Sequence, residues 1–360
     1  MPSWENNVRK VVPYTPGEQP KIRNIIKLNT NENPYPPSPK VKAALDQVES
    51  DLLRKYPDPA ASKLVDAIAA RYQVSPEQVF VGVGSDDVLA MSFLTFFASG
   101  RPILFPDITY SFYDVWADLF RIPYETKPLS ESFEIVNRDY YAENGGIVFP
   151  NPNAPTGVLK KLDEVEDIVR RNRDVVVIVD EAYIDFADGE DGGIPADSAL
   201  NLTDRYENLL VVQTFSKSRA LAGMRIGFAI GSKKLIRYLN DAKYSFNSYT
   251  MNQTAIAAGV TAVEDHEYFK QCLGKIKATR SRTQRALREL GFSFNPSQSN
   301  FLFVTHERVP ARELFAALRE ANIIVRYFDK PRIDNYLRIT IGTDEEMDAL
   351  ISFLREYLKQ

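Results

Sequence analysis

The sequence is poor in the residues that build cross-links and metal clusters. Its 360 residues include one cysteine, Cys272, and two histidines, His266 and His306. A single thiol closes no internal disulfide, and these few side chains are too scattered for a zinc site. No apolar run reaches the roughly 18 residues that cross a bilayer, so no membrane partner is expected. No block carries charge of one sign: 44 basic against 48 acidic residues leave a net −4. That balance argues against nucleic acid, whose phosphates call for a basic face. The opening MPSWENNVRK is too polar for a secretory signal. Together these features predict a protein of the reducing cytoplasm. What is present, 44% apolar and 26% charged residues, suits a globular chain of two to three domains.

Residues 1–40 are rich in proline, which removes backbone donors and restricts each preceding residue, so an extended arm is predicted. Such an arm lies against a neighbouring subunit or against the chain's own surface. From 41 to 245 short apolar runs alternate with helical patterns. The strand runs are Val79–Val83, Ile103–Phe105, Gly146–Phe149, Val175–Val179, Leu209–Thr214 and Ile226–Ile230. Helices are read at Val41–Leu53, Ser62–Tyr72, Val88–Ala98 and Leu162–Arg171. Continuous Val/Ile runs between polar turns mark strands buried on both faces. The prediction is an α/β fold with a mainly parallel central sheet and helices on both sides. Residues 246–360 read as a smaller α+β domain. It opens on a long helix, Tyr268–Leu290, stopped by Gly291, and continues with a strand at Asn300–Val304 and a helix at Ala311–Ala321. Strands near Ile323–Arg326 and Leu337–Ile341 and a last helix, Glu345–Leu358, complete it.

Four motifs fall at the ends of predicted strands. In Thr214-Phe-Ser216-Lys217, a lysine follows a strand directly, at the carboxyl edge where open α/β sheets place ligands. Most lone lysines are solvated loop residues. Here small hydroxylic neighbours and the following Ala-Leu-Ala-Gly-Met segment before Arg225 suggest a pocket, where a lysine can form a Schiff base with an aldehyde. In Val175–Tyr183, Asp180 ends a buried strand; it is a helix cap, a metal ligand, or the partner of a protonated ring nitrogen. Tyr183 could offer its hydroxyl nearby. The turn Gly82-Val-Gly84-Ser85-Asp86-Asp87 lacks the third glycine of a dinucleotide fingerprint and suits a single phosphate, held by free helix-start amides with Ser216 and Arg225. Asn151-Pro-Asn153-Ala154-Pro-Thr-Gly157 either only ends a strand or presents stiffly held amide donors.

Taken in order along one chain, these motifs resemble the pyridoxal-phosphate-dependent aminotransferases of the aspartate-aminotransferase fold (fold type I). Within that group the sequence is most similar to the histidinol-phosphate aminotransferases. The similarity also takes in Pro13-Tyr14-Thr-Pro-Gly17, Leu28-Asn-Thr-Asn-Glu32-Asn-Pro34, Lys55-Tyr56-Pro57-Asp58 and Leu337-Arg338-Ile-Thr-Ile-Gly342. The resemblance implies pyridoxal 5′-phosphate as cofactor, with Lys217 its Schiff-base lysine and acid/base group. Asp180 would hold the pyridine nitrogen protonated, and Tyr183 would face the phenolic oxygen. Ser85, Asp86, Ser216 and Arg225 would hold the phosphate, joined by Tyr56 from the other subunit of a homodimer. Tyr110 would stack over the ring, Arg338 would bind the amino donor's α-carboxylate, and Tyr14, Asn300 and Arg326 would take the substrate's phosphate end. The implied reaction is transamination between histidinol phosphate and 2-oxoglutarate in histidine biosynthesis. One departure is visible: the family commonly carries asparagine immediately before Pro-Thr-Gly, where this sequence has Ala154, so Asn153 is expected to take that role.

Other readings compete. An aromatic aminotransferase or a threonine-phosphate decarboxylase would keep the same cofactor motifs. An oxidoreductase would use Gly82–Asp87 for a dinucleotide, and a binding module would keep the fold without chemistry. His266 and His306 are expected at surface or helix positions, and Cys272 and the Phe93–Phe97 cluster in apolar packing.

Overall fold

Strands that are apolar at every position need cover on both sides, and the chain supplies it. The computed structural model describes residues 3–20, 24–189 and 191–359. After a two-residue strand β1 (Ile26–Lys27), seven strands form the large sheet. They are β2 (Val79–Gly82), β3 (Ile103–Pro106), β4 (Tyr124–Lys127), β5 (Ile147–Pro150), β6 (Val177–Asp180), β7 (Leu209–Thr214) and β8 (Gly227–Gly231). Their order is β2-β8-β7-β6-β5-β3-β4; only β8 runs antiparallel to its neighbours. Successive side chains of a strand point to opposite faces. Val148, Ile178, Leu210 and Val212 accordingly enter one apolar core, while Ile147, Phe149, Val177, Val179, Leu209 and Val211 enter another. This is the predicted mainly parallel sheet.

A four-stranded antiparallel sheet follows, from β9 (Phe292–Ser293), β10 (Phe301–His306), β12 (Arg326–Tyr327) and β13 (Leu337–Thr340) in the order β12-β13-β10-β9. The short β11 (Ile323–Ile324) pairs in parallel with β1, so the N-terminal segment is hydrogen-bonded to this later part of the chain. The long helix runs His266–Glu289, and Gly291 follows it at φ +86°, the left-handed conformation that glycine tolerates.

Several sequence expectations need correction. The helix expected over Val41–Leu53 stops at Asp46, and Ser50–Arg54 forms a separate 3-10 turn. Only Val41 of the first piece is buried, so no continuous apolar stripe holds the two together. The edge strand β4 has three exposed residues of its four and carried no apolar signal. His306 is neither on the surface nor in a helix. It ends β10, buried; its Nε2 meets the Leu290 carbonyl at 2.9 Å and Nδ1 accepts the backbone N–H groups of Arg308 and Val309. Within its own chain the arm touches down at Tyr14, stacked on Phe112 at 4.1 Å, and at Glu18, paired with Arg319, while residues 3–13 are exposed. Arm residues 1–2 and 21–23 lie outside the described residues.

Parallel connectivity gathers the carboxyl ends Pro106, Pro150, Asp180 and Thr214 along one edge, and Gly82 joins them through the Gly82–Gly227–Thr214 register. The helix Ser85–Phe96 starts there, and its first turn rests on Gly227. A Cβ at Gly227 would stand 2.3 Å from the backbone of Gly84 and Ser85. Gly227→Ala should therefore cost about 3 kcal/mol in urea unfolding, because backbone and not a flexible side chain must yield. A loss under about 1 kcal/mol would show that the turn is not held there.

Candidate active site

A cavity of about 180 Å³ opens at this edge, lined by Thr30, Glu32, Ser85, Asp86, Tyr110, Pro150, Ala154, Asp180, Ala182, Tyr183, Thr214, Ser216, Lys217, Ala222 and Arg225. Eight of the residues singled out from sequence thus meet around one space: Ser85, Asp86, Tyr110, Asp180, Tyr183, Ser216, Lys217 and Arg225. The Lys217 Nζ donates to the Thr30 carbonyl at 3.0 Å. Its loop is tied on both sides, by Asn33 Nδ2 donating to the Lys217 and Ser218 carbonyls and by the Ser218 hydroxyl on Asp185 at 2.5 Å. Arg219 packs its guanidinium on Phe269 and donates to the Ala262 carbonyl, a packing role.

Asp180 is buried at the end of β6. The Tyr113 hydroxyl donates to its Oδ2 at 3.0 Å and the Ala182 N–H to its Oδ1 at 3.2 Å. No cation pairs with it among the described residues. Burial pushes its carboxyl up to about 6, against the smaller opposing pull of the two donors. Its neighbour Glu181 is buried too, and burial pushes it up to about 7; it accepts from Gln213, Ser198 and the Ala199 N–H and anchors the 198–203 segment. Tyr113, from the helix Tyr113–Phe120, was not anticipated from the sequence. Its only local signal is a tyrosine among core aromatics, and the partner lies 67 residues away.

Also at the cavity, the helix Ser85–Phe96 presents its first amides, which have no intrahelical carbonyl to bond. Arg225 reaches Ser216 Oγ at 3.3 Å and Asp86 at 3.1 Å. The Tyr110 hydroxyl donates to the same Asp86 at 2.7 Å, and burial raises its pKa well above the usual phenol range.

Other residues fall outside the cavity lining. Asn153 corrects the sequence expectation. Both hydrogens of its amide are committed within its own turn and the next loop, to Thr156 Oγ1 and the Ile108 carbonyl, each at 3.0 Å, and Ala154 lines the cavity instead. Tyr56 is 80% exposed and stacks on Tyr249. Asn300 is buried, donating to the Asn31 carbonyl, with its own oxygen unpartnered. Arg326 and Arg338 lie directly opposite each other on β12 and β13. Arg338 donates to the Asn29 carbonyl at 2.9 Å, and among the described residues its buried Nε has no partner and no carboxylate pairs with it. Burial, reinforced by Arg326, holds its pKa below the usual arginine range.

The aminotransferase class I and II family profile matches residues 23–354. The chain belongs to the class I and II aminotransferases. This aminotransferase is 54% identical over 357 residues to histidinol-phosphate aminotransferase 2 of Dechloromonas aromatica, with 98% of each chain covered. It is 54% identical to histidinol-phosphate aminotransferase 1 of Hydrogenovibrio crunogenus, covering 99% of this chain and 98% of that one. Among solved structures it is similar to the Sinorhizobium meliloti histidinol-phosphate aminotransferase in complex with pyridoxal-5′-phosphate. There the TM-score is 0.82 at 25% identity, over 92% of this aminotransferase and 90% of that chain. The threonine-phosphate decarboxylase of Porphyromonas gingivalis shares the fold, at a TM-score of 0.78 and 22% identity.

Asp180 ionises near 6 when folded against an ordinary 3.8, so the folded ligand-free protein binds that proton more readily than the unfolded chain. Stability consequently falls as pH rises through this window. Asp180→Asn should stabilise the ligand-free protein by about 3 kcal/mol at about pH 8, with the gap closing by about pH 3. Urea unfolding at both pH values checks it, and a destabilised variant at the higher pH would contradict it.

Proposed function

We propose that this aminotransferase uses pyridoxal 5′-phosphate to transfer the amino group between histidinol phosphate and 2-oxoglutarate, giving imidazole-acetol phosphate and glutamate, in histidine biosynthesis. One observation carries the substrate assignment beyond the 54% identity to proteins of that name: Arg326 and Arg338 stand opposite each other, and among the described residues no carboxylate pairs with either. Two uncompensated guanidinium groups suit a doubly charged phosphate, which arginine's planar fork grips with parallel hydrogen bonds.

The donor set fits the cofactor. Asp180 is an anion lacking a cation, which a protonated pyridine nitrogen supplies. Lys217 reaches the same space, and Ala154, Ala182 and Ala222 give it apolar walls. The free amides at Ser85 and Asp86, the Ser216 hydroxyl and Arg225 suit a phosphate dianion at a helix start. Tyr56 of the partner subunit would complete that phosphate site in a homodimer. Bound there, the cofactor would supply an electron sink, a cationic ring that spreads the electron pair left when a proton departs from the substrate's α carbon.

The chain's own groups do the rest. The Lys217 Nζ would hold the cofactor's aldehyde covalently and, once displaced by a substrate amine, take up the α-proton. Asp180 would keep the ring nitrogen protonated, Tyr183 would donate to the phenolic oxygen, and Tyr110 would cover the ring. Arg338 would take glutamate's α-carboxylate and, with Tyr14, Asn300 and Arg326, would meet the phosphate of histidinol phosphate. The same reading divides the chain into an arm (1–40), a large cofactor-binding domain (41–245) and a small domain (246–360), working in the cytoplasm.

Lys217→Ala should retain no cofactor through a borohydride-fixable bond, and retention would overturn the assignment. Arg338→Ala should lower kcat/KM at least tenfold, about 1.4 kcal/mol, for both histidinol phosphate and glutamate. Arg326→Ala should do so for histidinol phosphate and cost glutamate less than about threefold. Carbon dioxide release from threonine phosphate, without transamination of histidinol phosphate, would overturn the reading in favour of a decarboxylase.

A further inference from the structure

The hydroxyl of Tyr183 is not left to choose its own direction. Asn31, in the segment joining β1 to the first helix, is buried, and its Nδ2 donates to the Tyr183 Oη at 2.9 Å. The orientation of that amide is dictated by Thr340 at the end of β13. The Thr340 Oγ1 accepts the Asn31 backbone N–H at 3.0 Å and donates its single proton to Asn31 Oδ1, also at 3.0 Å. A flipped amide would leave the Thr340 proton without an acceptor. The Asn31 carbonyl is taken by Asn300 Nδ2, so every polar atom of Asn31 is engaged.

The proton count then runs in one direction. Thr340 donates to Asn31, and Asn31 donates to Tyr183. Tyr183 accepts, and its own proton meets no protein acceptor among the described residues. The ring is held edge-on to Phe301, with centroids 5.0 Å apart, and the residue lines the cavity with Lys217, whose Nζ lies 5.9 Å from its centroid. Asn31 sits at φ +56°, in the left-handed region that asparagine tolerates better than most side chains. It therefore meets a backbone need and an amide need at one position.

We infer that Asn31 is a positioning residue that makes Tyr183 an obligate hydrogen-bond donor into the cavity. This rests on the reading that pyridoxal phosphate binds there with its phenolic oxygen toward Tyr183. A fixed donor stabilises the anionic form of that oxygen and so sets the proton affinity of the cofactor's linkage to Lys217. The arrangement matters the more because Ala154 is the residue of the Asn151–Gly157 turn that lines the cavity, while the amide hydrogens of Asn153 are committed elsewhere.

The test is an absorbance titration of the holoenzyme, following the visible band of the protonated linkage. The other charged groups around it, Lys217, Glu32, Asp86, Asp180, Arg225, Arg326 and Arg338, stay as they are. Asn31→Asp keeps the size and the tolerance for positive φ, but its carboxylate accepts from Tyr183 and draws the proton out of the cavity. Its midpoint should rise by about one pH unit, a tenfold gain in proton affinity. In a Tyr183→Phe background the same substitution should change that affinity less than about threefold, since no hydroxyl is left to redirect. Asn31→Gly, which tolerates the backbone without supplying an amide, should shift the midpoint the same way by less. An unmoved Asn31→Asp midpoint, or an equal shift with and without the Tyr183 hydroxyl, overturns the role of Asn31. A wild-type protein with no cofactor linked to Lys217 instead overturns the cofactor assignment on which it rests.

Discussion

The Asp180 carboxylate is drawn out of water by the strand that carries it, and the surrounding site is arranged around that charge. Val177, Ile178 and Val179 must be buried for the sheet to cover both faces, and the residue that follows them is carried inward as well. The Tyr113 and Ala182 donors soften the cost without cancelling it, because neutral hydrogen bonds do not replace a counter-charge. A cationic ligand would offset that cost, so part of its binding energy is stored in the folded chain.

A charge of the opposite sign stands unmatched on the small sheet. Arg338 faces Arg326 across the β12–β13 pair, against the aromatic faces of Phe301 and Phe328. An anion and a cation, each lacking a counter-charge among the described residues, are thus held on different sheets. The segment running from β1 through Asn33 ties the two together. It pairs with β11, meets Thr340 through Leu28 and Asn31, and meets Tyr183 and the Lys217 loop through Asn31 and Asn33. The arm read from sequence as a proline-rich extension therefore ends in the polar seam of the site.

Much of this was legible in advance. The buried strands and the helices Ser62–Tyr72 and Leu162–Arg171 follow from local apolar periodicity, and the residues at strand ends were named from the same pattern. Weaker elements escaped wherever burial was slight. The helix after Val41 stops short because a single buried residue holds it, and β4 is an exposed edge. The turn at Asn153 misled because a one-residue step decides which side chain meets the cavity. Asn153 bonds inside the protein and Ala154 takes the wall.

The class of chemistry came from the resemblance of the ordered motifs to a known family; sequence pattern by itself determined where strands end and that a lysine, an aspartate and a glycine turn share one sheet edge. These follow from alternation and punctuation within a dozen residues, which the chain carries locally. Only the tertiary structure decided which proton each polar group gives and to whom: Tyr113 to Asp180 across 67 residues, Asn31 to Tyr183 across 152, Arg338 beside Arg326 with no acid paired to either among the described residues. Such pairings depend on distances and directions set by packing, and a hydrogen bond forms or fails over a few tenths of an ångström that no local pattern encodes.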